Sequence, residues 1–97
     1  MEKRANKYHL KLALTQYANG ETEPAKELEI DFTNHDEIFE IIERMKNKGL
    51  FEDPSEAIQF ALGLKLFGEI KLKYRKNPLF DEINEAFPVF MKKLKSL

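Results

Sequence analysis

The sequence predicts an α+β fold: an N-terminal antiparallel β-hairpin followed by three helices (ββααα), with the central helix buried. Three observations predict it. Apolar and polar residues alternate across residues 8–15 and again across 27–33, the period of a half-buried strand. From residue 34 the apolar spacing changes to three and four, the period of a helix, with breaks near residues 49–54 and 77–78. Residues 53–77 are apolar on almost every side, as expected of a helix surrounded by others.

The first strand sets Tyr8, Leu10, Leu12 and Leu14 on one face and His9, Lys11, Ala13 and Thr15 on the other. Asn19-Gly20 signals a turn, and Pro24 keeps the connection irregular until about Ala25. In the second strand Leu28, Ile30 and Phe32 point inward, with Glu27, Glu29, Asp31 and Thr33 outward. Pairing Leu12 with Ile30 would set Lys11 opposite Asp31, a favourable cross-strand charge pair. The hairpin is expected over residues 8–33, after a flexible N-terminus of residues 1–6. Two strands alone are marginal in water, so helices are expected to cover the apolar face. The strand edges stay available to a second copy or a partner strand.

Asn34 followed by Glu37 reads as a capping box opening a helix over residues 35–48. Ile38, Phe39, Ile41, Ile42 and Met45 form its apolar side. Gly49 is placed to close it in the left-handed conformation, with Leu50 and Phe51 folding back over the end. The central helix, residues 54–76, has the strongest start signal: Asp53 as cap, Pro54 at the first position and Glu56 completing a capping box. Gly63 and Gly68 each cost about 1 kcal/mol against alanine inside a helix. They imply close approach of another backbone, with a kink or a ligand groove as the alternatives. Lys65, Glu69, Lys71 and Lys73 interrupt the apolar run, which excludes a membrane span. Asn77-Pro78 opens a last helix, residues 78–96, whose face is Leu79, Ile83, Phe87, Phe90, Met91 and Leu94. Pro88 removes the hydrogen bond to Asn84, so a kink or break is expected there.

The 97 residues suffice for one domain, residues 1–97, with one modest core. The formal charge of −1 implies no whole-molecule attraction to nucleic acid or to an anionic membrane. The charge is unevenly spread, however. Residues 1–57 carry 8 Lys and Arg against 13 Asp and Glu, and residues 58–97 carry 8 against 4. That asymmetry points to a polarised surface or to self-association, although ordinary helix-dipole bias generates part of it. The absence of cysteine removes disulfides, thiolate catalysis and most structural zinc sites. The first six residues lead into no apolar stretch of the secretory kind, and the expected location is the cytoplasm.

Several stretches together resemble a known family. They are Tyr8-His9-Leu10, Asn34-His35-Asp36-Glu37-Ile38-Phe39, the run from Ala61-Leu62-Gly63 to Phe67-Gly68-Glu69, Arg75-Lys76-Asn77-Pro78-Leu79-Phe80, and Phe90-Met91-Lys92-Lys93-Leu94-Lys95. In this order they are similar to the small bacterial domain-of-unknown-function family 3861, over nearly the whole chain. The resemblance implies a bacterial cytoplasmic single-domain protein. It implies no activity and supplies no catalytic residue.

Few residues carry chemistry. His9 and His35 have no His or Cys partner at ligand spacing, and zinc needs three or four ligands, so no metal is expected. His9 is expected on the outer strand face and His35, solvated, in the first turn of a helix. Glu37, Glu40 and Glu43 are spaced as the wet face of an amphipathic helix, with nothing nearby to shift a pKa for acid–base work. No phosphate loop, nucleophile elbow or Ser/His/Asp set is present, so no catalytic residue and no cofactor are expected. The basic group Lys71, Lys73, Arg75 and Lys76, with Tyr74 and Phe80 interleaved, precedes the start of the last helix, and Lys92, Lys93 and Lys95 close it. Lys73, Arg75, Lys76, Lys92 and Lys93 are the candidate residues for an anion or an acidic partner. Cations at helix C-termini are also ordinary, and Asp81, Glu82 and Glu85 follow closely, which argues against nucleic acid. The reading is a non-enzymatic module that binds itself, as a homodimer, or another protein. The alternatives are a small-molecule or anion binder, and a nucleic-acid binder using the C-terminal basic residues.

Overall fold

A computed structural model describes residues 4–97. The expected flexible segment therefore lies partly outside the described residues, and Asn6 already belongs to a strand. Two antiparallel strands, β1 (Asn6–Leu14) and β2 (Lys26–Asn34), precede helices α1 (Ile38–Lys48), α2 (Pro54–Lys73) and α3 (Asp81–Ser96). A single 3₁₀ turn, Pro78–Phe80, leads into α3. This is the ββααα order. The chain divides into two compact units, the hairpin up to Asp36 and the helices from Glu37.

In the hairpin unit Leu12 pairs with Leu28 and Leu10 with Ile30, a register two residues from the expected one. A shift of two keeps every side chain on its face, so the alternation is satisfied by either register. The observed one adds specific contacts. Tyr8 stacks on Phe32 with ring centroids 5.3 Å apart. His9 stands opposite Asp31, and Lys11 reaches Glu27 at 3.4 Å. Tyr17 organises the connection between the strands: its N–H donates to the Glu21 carbonyl at 2.7 Å and its hydroxyl to that of Pro24. Gly20 takes φ +94°, a conformation that L side chains resist.

The far end of the hairpin is tied down at Asp36. Its carbonyl oxygen accepts from Asn6 Nδ2 at 3.1 Å and from the Tyr8 hydroxyl at 2.9 Å. Asn34 was expected to cap α1 but is the last residue of β2, buried, its Oδ1 accepting from the Asp36 N–H at 2.9 Å. The cap is Glu37, whose Oε1 accepts from the Phe39 N–H at 3.0 Å. Pairing with Asn6 holds Asn34 extended, so the helix starts three residues later than its capping-box spacing suggests. His35 consequently lies before the helix, exposed, with Nδ1–H donating to the Arg4 carbonyl at 3.0 Å.

In the helical unit the local signals hold. Gly49 closes α1 at φ 65°, and the Asp53–Glu56 capping box opens α2 with Pro54 at its start. The core joins Met45 of α1, Ala57 and Ala61 of α2 and Leu94 of α3, flanked by half-buried Ile41, Ile42, Phe60, Leu64 and Met91. Alanines one turn apart let the neighbouring helices come close. Six rings then run in unbroken contact along the unit: Phe51, Phe60, Phe90, Phe87, Phe67 and Phe80, with successive centroids 5.0–6.3 Å apart.

Three expectations fail here. The central helix is buried along its alanine stripe only, and Ile58, Phe67, Ile70, Leu72 and Tyr74 are exposed. Its two neighbours in the unit cover one stripe of a helix that is apolar all round. Neither glycine of α2 faces an approaching backbone. A Cβ at Gly63 would meet nothing within 4 Å, and one at Gly68 would only touch the Phe87 ring at 4.0 Å. Pro88 does not break α3, which continues from Asp81 to Ser96. Among the described residues, no helix is long and apolar enough to cross a membrane.

Candidate functional site

The basic residues follow from how α2 ends. The Tyr74 N–H closes the helix on the Ile70 carbonyl, and Asn77 caps the 3₁₀ turn through Oδ1, which accepts from the Leu79 N–H at 2.9 Å. Asn84 Nδ2 donates to the Arg75 carbonyl at 2.8 Å, clamping the turn to α3. Lys73, Tyr74, Arg75, Lys76 and Asn77 line one shallow depression of about 280 Å³. Lys71 and Lys73 already have ring partners, Lys71 Nζ 5.0 Å from the Phe87 centroid and Lys73 Nζ 5.5 Å from that of Tyr74.

Lys92 and Lys93 do not join this depression. They lie on the last turns of α3, at 1.5 Å rise per residue about 16 Å or more along the axis from Asp81. Of the five candidate residues, Lys73, Arg75 and Lys76 line the depression and Lys92 and Lys93 do not.

His9 does sit on the outer face of the hairpin, exposed and between two carboxylates. Its Nδ1 lies 2.7 Å from Asp31 Oδ1 and its Nε2 3.2 Å from Glu29 Oε1. An imidazole can donate from both nitrogens only when protonated. The hydrogen bond to Asp31, and then that to Glu29, raise its pKa above the ordinary 6.5. Among the described residues no group of three or more His, Cys, Asp or Glu could hold a metal ion. Glu37, Phe39, Glu40, Glu43 and Arg44 line an open surface on α1.

The inner face of the hairpin is apolar at its centre, where Leu12 is 62%, Leu28 52% and Ile30 42% exposed. Among the described residues of this unit, Asn34 alone is buried. Alternation identified the apolar face, but a period of two cannot say what covers it.

The comparisons bear on the whole chain. A family model described as a domain of unknown function with a solved structure, DUF3861, matches residues 6–96. The chain belongs to this family. DUF3861 is a small bacterial family, and the match spans both the hairpin and the helices. A crystal structure of a protein of unknown function from Pectobacterium atrosepticum is 31% identical to this DUF3861 chain. The alignment covers 97% of this chain and 100% of that one, with a TM-score of 0.82. Comparison with curated proteins returns no match.

Proposed function

We propose that this DUF3861 chain is a non-enzymatic interaction module of the bacterial cytoplasm that associates with itself. One observation carries the reading: the hairpin leaves the centre of its only apolar face in water. A two-stranded sheet needs an apolar layer against one face to be stable. An exposed apolar surface on a soluble domain marks a place where something docks. Sedimentation equilibrium of the purified chain, at low and moderate salt, tests it. The expected result is a dimer that dissociates on dilution and persists at moderate salt, because apolar contact is not screened. A monomer at every concentration would overturn the reading.

A second reading uses the depression at residues 73–77 as a site for a small anion. Its support is the convergence of Lys73, Arg75 and Lys76 on one concavity, where Arg75 and Lys76 enter no salt bridge among the described residues. Inorganic phosphate should shift the amide resonances of residues 73–77 at low salt, and less so as salt rises. Unmoved resonances at millimolar phosphate would remove this reading.

A further inference from the structure

The charges on the hairpin select how two copies can meet. The outer side chains of β1 are basic, Lys7, His9 and Lys11, and those of β2 are acidic, Glu27, Glu29 and Asp31. Joining β1 edges across a two-fold axis sets bases beside bases, and joining β2 edges sets acids beside acids, each unfavourable. Joining β1 of one copy to β2 of another matches the charges but is head-to-tail and does not close. Every edge arrangement also leaves Leu12 and Leu28 facing water.

Stacking face on face avoids all three problems. The inner face carries one charged side chain, Lys26 in its last row opposite Leu14, and the Tyr8 hydroxyl towards the other end is already bonded to the Asp36 carbonyl. The rows between, Leu10 with Ile30 and Leu12 with Leu28, carry no charge to repel their own image, and the Lys26 stem can lie along the rim with its ammonium in water. We propose that two copies pack through the apolar faces of their hairpins, Leu12 and Leu28 at the centre, with the charged faces outward. This rests on the self-association reading above and specifies its geometry.

The size of the contact sets its strength. Strands of 9 residues form a face roughly 30 Å by 10 Å at 3.4 Å per residue and about 4.8 Å between strands. Two such faces bury less than about 1,200 Å² in total, the range of weak and reversible association.

The chain has no cysteine, so introduced thiols are unique. Leu12→Cys and Ala13→Cys are neighbours on β1 that point to opposite faces, and Leu28→Cys with Glu27→Cys repeats the contrast on β2. Each variant, with its hairpin checked by amide exchange, is treated with a bismaleimide matched to the roughly 10 Å between stacked sheets. Stacking predicts that the Leu12→Cys and Leu28→Cys variants cross-link about tenfold more than Ala13→Cys and Glu27→Cys, whose thiols lie on the far sides of both sheets. Comparable yields within either pair would mean edge pairing and overturn the stack. No cross-linking from any variant, with a dimer still present in sedimentation, would move the contact elsewhere and leave self-association standing. No cross-linking and a monomer would overturn both.

Discussion

Leu79 and Leu94 belong to the same apolar row in the sequence, and the structure gives them opposite environments. Leu94 is 5% exposed, packed with Met45, Ala57 and Ala61, whereas Leu79 is 73% exposed. Truncating Leu94 to alanine removes three carbons, about 0.8 kcal/mol of transfer free energy each. A cavity contribution adds to this, giving an expected loss of about 3 kcal/mol, within the usual 2–5 for a buried leucine. At roughly 0.05–0.15 kcal/mol per residue the helical unit holds only roughly 3–9 kcal/mol, so Leu94→Ala should consume a large part of it. Leu79→Ala should stay within about 0.5 kcal/mol of the parent. Urea unfolding followed by far-ultraviolet circular dichroism measures both. Equal losses from the two variants, or a Leu94→Ala loss below about 1 kcal/mol, would show that Leu94 is not part of a closed core.

Two further outcomes follow from local chemistry. Asp53→Ala removes the half of the α2 capping box made by the Asp53 carboxylate, leaving its backbone N–H free to donate to Glu56, and should lower stability by about 1 kcal/mol, read from the urea midpoint. Asp53→Asn should restore most of it, and failure of that rescue would refute capping as the cause. His9 has a raised pKa in the folded hairpin, so its stabilising contribution is complete below the unfolded value of 6.5. The contribution fades as pH rises through the raised folded value. Amide exchange of residues in β1 and β2, corrected for intrinsic rates, should show protection falling across that window, and His9→Gln should flatten the dependence. A parent profile already as flat as that of His9→Gln would discard the pairing with Asp31 and Glu29.

How much of this could be read from the residues alone depends on the range of the physics. The Asp53–Pro54–Glu56 start and the Gly49 stop were legible because caps are settled within a few residues. The alternation through Leu10, Leu12, Leu28 and Ile30 gave the strands and their faces. It did not give the register, because a slip of two preserves every face, and the choice fell to contacts such as Tyr8 on Phe32. Asn34 shows how a local rule loses: its spacing to Glu37 matched a capping box, but ladder pairing with Asn6 held it in the strand. The even spread of apolar residues on α2 implied cover on all sides, whereas burial depends on which neighbours exist. For the candidate site, composition found each lysine and arginine. Only the path of α3 separated Lys92 and Lys93 from Lys73, Arg75 and Lys76.

The row of six phenylalanine rings has a mechanical consequence. Phe51, just before α2, and Phe80, just before α3, are far apart along the chain, yet they are the two ends of one train of touching rings. Phe51 and Phe67 are also exposed, so this train can be pressed from outside at its end and near its other end. Rings in tilted contact hinder one another's rotation. A molecule settling on Phe51 would restrict the motion of Phe60 and then of Phe90 and Phe87, through side chains alone. The connection before α2 and the turn before α3 would stiffen together without any change in the helices that separate them.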